Sequence, residues 1–361
     1  MIKPFLIFSI IVLSMIVFFK MYENKPPVSS VFPTEVAVTD TPAVTLTPTL
    51  QPLPVTYVIE NDYQVFQTFN NCGPAALSMA LSYYGVNKSQ QELGQDLRPY
   101  QQTQGNNDDK SVTLGELAEK ASEYKLVPFH RPNGTIKLIK QFITYDIPVV
   151  TRTLLKETDD IGHYRVIKGY DDTTGEFIQD DSLQGHNLRY SYLQFMRLWQ
   201  MFNYEYLVLV SPDKEPLAKS ILGEDADVIT SWKKAADNSQ KELELNPDTI
   251  YARFNLSVAL YHTGDFDGAV SEFEMVDDRL PFRTLWYQIE PIEAYFELEN
   301  YERVFELTDK IINNDNRAFS ELYILRGRIF QKQGKTDEAK KEFDKALFYN
   351  KNLKSAQELL Q

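Results

Sequence analysis

Cysteine occurs once and histidine four times among the 361 residues of this chain. A single thiol excludes any intramolecular disulfide and any cysteine-rich zinc site, and four scattered imidazoles make no metal-ligand cluster. Basic residues are also outnumbered, with 37 Lys and Arg against 51 Asp and Glu and a formal net charge of -14. Such a chain repels a phosphate backbone, so no nucleic acid is expected among its partners. A small disulfide-stapled fold is excluded, and the length allows two or three ordinary domains.

The N-terminal segment is apolar from residue 5 to residue 19, with Ser9 and Ser14 as mild interruptions. Counted from Pro4 to Tyr22 it has 19 residues. At about 1.5 Å rise each, these nearly reach the roughly 30 Å hydrocarbon thickness, with Lys20 snorkelling. A cleaved signal peptide needs a small-residue cleavage site, and none is convincing, so residues 1–24 are expected to be a transmembrane anchor. Residues 25–55 are rich in Pro, Thr and Val and cannot build a core, so they read as a disordered stalk. The expectation is a single-pass cell-membrane protein with its folded domains on the extracytoplasmic side. The flanking Lys3, Lys20 and Lys25 leave the positive-inside count undecided.

Residues 56–215 read as one domain. AALSMALSYYG (75–85) is a helix with a glycine stop, and VTLGELAEKASEYKL (112–126) is a second helix with Leu114, Leu117 and Ala121 on one face. IPVVTRTLL, HYRVIKGY, EFIQD and EYLVLVS read as strands. Helices first and a sheet afterwards predict an α+β domain with an antiparallel sheet. Over residues 222–361 the strand signals vanish and a repeat with a thirty-five-residue period appears, with Gly264, Glu299 and Gly334 equivalent. Each unit places a small or polar turn between two amphipathic helices, followed by Phe266, Tyr301 or Thr336 and then Ala269, Val304 or Ala339. The middle unit lacks the turn glycine and carries Pro291 inside its first helix. The pattern resembles the tetratricopeptide repeat, which implies a helical solenoid that binds a protein or peptide partner.

The lone thiol lies in QTFNNCGPAALSMALSYYG, just before a helix expected to start near Gly73 or Pro74. Proline is tolerated in a first helical turn, so Cys72 sits where unpaired amides and the helix dipole favour an anion. A neighbouring imidazolium would make it a nucleophile near neutral pH. Of the four histidines, His262 lies in a repeat helix, His130 in a proline-bounded turn and His186 in a polar loop. His163 opens the strand GHYRVIKGYDD and is the best-placed base. EFIQDDS offers two carboxylates to orient it. A reversal between Asp171 and Asp172 sets Asp180 opposite His163 and turns Asp181 to the other face. A turn centred on Thr173, Thr174 and Gly175 would slide Asp180 away along the strand. Gln67, with Gln64 as the alternative, could complete an oxyanion hole with the Cys72 amide.

QTFNNCGPA, GHYRVIKGYDD and FIQDD, in that order, resemble the papain-like double-glycine leader peptidases, the bacteriocin-processing cysteine peptidases. The resemblance covers residues 57–210. It implies Cys72 as nucleophile, His163 as general base and acid, Asp180 as the imidazole orienter and Gln67 in the oxyanion hole. Relatives often have Asp-Pro where this chain has Asp180 followed by Asp181. The expected activity is hydrolysis of a peptide or protein substrate through an acyl-enzyme, with no metal or organic cofactor. A papain-fold acyltransferase or crosslinking enzyme, or an inactive repeat-based scaffold, is the alternative.

Overall fold

A computed structural model of the chain describes residues 50–100, 111–314 and 316–360. No helix among the described residues is long and apolar enough to cross a membrane. This overturns the expected single-pass membrane localisation; the expected anchor and most of the expected stalk, residues 1–49, lie outside the described residues.

Seven strands form one antiparallel sheet. They are β1 (Thr56–Val58), β2 (Val127–Arg131), β3 (Val149–Leu154), β4 (Gly162–Asp171), β5 (Glu176–Asp181), β6 (Gly185–Ser191) and β7 (Tyr206–Val210). They run in the order β2-β7-β3-β4-β5-β6, with β1 also pairing β4. Two helical layers cover the sheet, which is why its central strands read as continuous apolar runs. On one face lie α1 (Cys72–Ser82), α2 (Gln90–Leu97) and α3 (Leu114–Ser122), whose Leu77, Leu93 and Leu117 pack on Val150, Tyr164, Val166 and Leu207. On the other lie α4 (Ile136–Ile143), α5 (Tyr192–Trp199) and α6 (Glu215–Leu222), whose Phe142, Trp199 and Ile221 share a core with Val149, Ile167 and Val208. Adjacent residues such as Val149 and Val150 therefore serve opposite layers, as the two-residue period of a strand requires. Local chemistry sets the helix starts: Ser89 with Glu92 and Thr113 with Glu116 close reciprocal capping boxes on α2 and α3.

The helical part follows with α7 (Val228–Leu245) and then three hairpins. The hairpins are α8 (Ile250–Thr263) with α9 (Phe266–Glu274), α10 (Glu290–Glu297) with α11 (Tyr301–Ile312), and α12 (Ser320–Lys332) with α13 (Thr336–Tyr349); α14 (Lys354–Leu359) closes the described chain. The three equivalent turn residues all adopt the left-handed region, Gly264 at φ 85, Glu299 at φ 58 and Gly334 at φ 72. Pro291 lies inside its helix as expected but in the first turn of α10, where its missing amide costs no helical bond. The repeat helices and the sheet domain share one apolar cluster in which Leu154, Leu198, Met201 and Phe202 meet Trp232, Phe254, Trp286 and Tyr287.

Candidate active site

Cys72 is the first residue of α1, earlier than the sequence suggested. Asn70, at φ 58, turns the chain into the helix, and Asn71 takes the N-cap position without capping it by side chain. The Asn71 carboxamide is held elsewhere: Oδ1 accepts from Arg98 Nη1 at 2.6 Å and Nδ2 donates to Thr68 Oγ1 at 2.8 Å. The thiol side of α1 packs against the face of β4 that carries Tyr164, so the helix start lies beside the beginning of β4.

His163 is the second residue of β4 and is 2% exposed. Its Nε2 donates to Asp181 Oδ1 at 2.8 Å, which leaves Nδ1 for the neighbouring Cys72 thiol. The Asp181 oxygen is saturated: the backbone amides of Leu183 and Gln184 also donate to it, at 2.7 and 2.8 Å, and Arg165 Nε stands 3.5 Å from Oδ2. Burial pushes the Cys72 thiol up, but the hydrogen bond and charge of His163, with Arg98 and Arg152 behind them, bring it below the ordinary thiol range. Burial pulls the imidazole down, and the hydrogen bonds to Asp181 and Cys72 raise it above its usual value. Burial likewise raises the Asp181 carboxyl, and His163 and Arg165 with the Leu183 amide bring it lower than usual. Each shift favours the thiolate–imidazolium pair.

Asp180, expected to orient His163, does not reach it. The β4–β5 hairpin closes with Asp171 paired to Glu176, so the reversal runs through Thr173, Thr174 and Gly175, and a bulge between Ile167 and Gly169 shifts the register once more. Asp181 thereby pairs with Arg165 on the His163 face, and Asp180 pairs with Val166 on the opposite one. There Asp180 accepts from Lys168 Nζ at 3.0 Å and lies 2.9 Å from His186 Nδ1. His186 sits in β6, not in a loop, and His130 sits in β2 with Nε2 2.5 Å from Glu205. His262 is helical and stacks on Trp232 at 3.9 Å between ring centroids. Gln67 is docked beside the site: its backbone amide donates to the Ser182 carbonyl at 2.8 Å and its Oε1 accepts from Ser182 Oγ at 2.8 Å. Gln64 instead donates to the Asp181 carbonyl at 2.9 Å.

Sequence reasoning missed Arg98, Arg152 and Tyr287, and it set Asp180 ahead of Asp181. A lone arginine inside IPVVTRTLL was a readable signal, because a charge in a fully buried strand needs a reason. Arg152 is 5% exposed and lies over the rings of Tyr164, Phe202 and Tyr287. Tyr287, from the helical part, left no local mark.

A thiol at a helix start, an imidazole on a central strand and a carboxylate on the next, carried by an α+β domain with an antiparallel sheet, define a papain-like cysteine-peptidase fold. Residues 53–207 match the family model described as the Peptidase_C39 like family, and residues 320–353 match a tetratricopeptide-repeat model. The chain thus carries a C39-like peptidase domain and a tetratricopeptide-repeat region. A protein from Bacillus anthracis described as a C39-like peptidase is 17% identical, with 43% of this chain and 98% of that one covered and a TM-score of 0.36. The peptidase domain of Streptococcus ComA, a bifunctional ABC transporter involved in a quorum-sensing pathway, is 19% identical, with 44% and 99% covered and a TM-score of 0.32. A double-glycine motif protease from an AMS/PCAT transporter, solved with its leader peptide, is 16% identical, with 43% and 92% covered and a TM-score of 0.31. No curated protein matches the chain.

Proposed function

We propose that this protein is an active cysteine peptidase that hydrolyses a peptide or protein substrate, with the repeat region binding a protein or peptide partner. The observation that carries the reading is a buried His163, held through Nε2 by Asp181 Oδ1 at 2.8 Å, whose imidazole lowers the thiol of Cys72 at the start of α1. The Cys72 thiolate attacks the scissile carbonyl, and the oxyanion is held by the Cys72 amide and the Gln67 carboxamide, which Ser182 fixes through Oε1. His163 then gives its proton to the leaving amine, and water, deprotonated by the same imidazole, cleaves the thioester. Asp181 keeps the imidazole in one tautomer and stabilises its charged form. Incubation with an internally quenched peptide library tests the reading: the native chain should cleave members of the library and Cys72→Ala should cleave none. A native protein whose thiol titrates as in the unfolded chain would overturn it.

A further inference from the structure

The repeat region reaches into the peptidase site. Residues 284–288, between α9 and α10, open with a short 3-10 turn (Thr284–Trp286) and lie against the chain that leads into β4. Arg283 ties this segment down, with its guanidinium 2.5 Å from Asp160 Oδ1 and its backbone amide 3.2 Å from Oδ2. Gln288 Nε2 donates to the Met201 carbonyl at 3.0 Å. Between these ties the Tyr287 ring stands where a side chain at Gly162 would stand: a Cβ built there lies 3.1 Å from Cζ and 3.2 Å from Cε1. Gly162 directly precedes His163, so the residue beside the imidazole has given up its side chain to a ring from the helical half.

The same segment occupies Arg152. Arg152 Nη1 donates to the Tyr287 backbone carbonyl at 3.2 Å, and the guanidinium stacks 4.9 Å from the Tyr287 ring centroid. Its Nε and Nη2 are buried without a hydrogen-bond partner. Unused donors on a buried cation cost free energy in this state, and a state that supplies acceptors to them is favoured by that amount. Cys72 is 7% exposed and His163 2%, so the segment that holds Arg152 and Gly162 borders a thiol with little surface of its own.

We propose that residues 284–288 plug the peptidase site from the repeat region, the Tyr287 carbonyl holding on Arg152 the place of a substrate backbone carbonyl, so that cleavage waits on withdrawal of this segment. The inference rests on the peptidase reading above. Withdrawal frees Arg152 to accept a substrate carbonyl or carboxylate beside the thiol, and a partner seated on the repeats is placed to cause it.

The single cysteine makes the test direct. Alkylation of the full chain by N-ethylmaleimide is followed from pH 4 to 10 for the native protein, Tyr287→Ala and Arg283→Ala, with circular dichroism melts as the check on folding. When the open form is the minor one, the rate falls by its population, so Tyr287→Ala should react about tenfold faster or more, and Arg283→Ala severalfold faster. The acidic midpoint of the thiol should stay where it is, which separates an opened site from an unfolded chain. Should Tyr287→Ala fail to fold, Arg283→Ala alone decides. Both folded variants reacting at the native rate would overturn the plug. The rate ratio judges the plug and the midpoint judges the thiol, so either reading can fail while the other stands.

Discussion

Asp181 Oδ1 lies 2.8 Å from His163 Nε2, while its chain neighbour Asp180 faces the other side of the sheet and binds Lys168 at 3.0 Å. Two consecutive carboxylates thus have separable tasks. Asp181→Asn should take away the charge that holds the imidazolium up and, through it, the thiolate down. The pH window of activity, which opens as the depressed thiol ionises and closes as the raised imidazolium loses its proton, should then narrow from both ends. The peptidase rate should fall at least about tenfold, and the melting temperature should fall too, because the buried Arg165 loses the carboxylate beside it. Asp180→Asn should leave that window in place and cost about 3 kcal/mol of stability, because it strands the buried Lys168 ammonium. A pH–rate profile and a melt on each variant check the assignment. Equal effects of the two on the profile would refute it.

Cys72→Ala should abolish both alkylation and peptide cleavage, and in the native chain the alkylation midpoint should lie below the ordinary thiol value. Arg98→Ala should move that midpoint upward, since the guanidinium supports the thiolate and also holds Asn71 at the helix start. Iodoacetamide rates across pH check both statements; a midpoint in Arg98→Ala that matches the native one would contradict the second.

The Cys72–His163 couple was legible because each half is announced locally, one by a helix-start motif and the other by a strand opening. The carboxylate was not, because its choice depends on where a hairpin reverses and on a bulge near Lys168. Neither leaves a mark in the neighbouring residues, and a one-residue slip exchanges the faces of every side chain on the strand. The antiparallel sheet and the helical hairpins were readable from period and turn chemistry, down to the equivalence of Gly264, Glu299 and Gly334. Strands β1, β2 and β6 were not: β1 has three residues, and β2 is interrupted by Pro128 and His130. Arg152 and Tyr287 meet across 135 positions of sequence, a distance at which no pattern speaks.

Glu299 occupies a left-handed turn position that its two equivalents fill with glycine. A side chain there costs about 1–2 kcal/mol, and the exposed Glu299–Lys332 pair at 3.4 Å returns little. Glu299→Gly should therefore raise stability by about 1 kcal/mol, read as a higher denaturant midpoint at unchanged slope.

Gly327, within α12, faces Phe343 of α13, and a Cβ built there lies 2.3 Å from Cε1 of that ring. Alanine should gain about 1 kcal/mol of helix propensity and lose about 1–3 kcal/mol to overpacking, for a net loss that valine makes larger. Thermal melts of Gly327→Ala and Gly327→Val check the order. A stabilised alanine variant would mean that the two helices separate at little cost.

Leu154, Leu198, Met201 and Phe202 of the sheet domain share their apolar cluster with Trp232, Phe254 and Trp286 of the repeats. The two halves are therefore not beads on a string that recombination could trade freely with other partners. A chain ended between them would turn four large apolar side chains to water and tend to self-associate, and heat should melt the two parts together in a single cooperative transition.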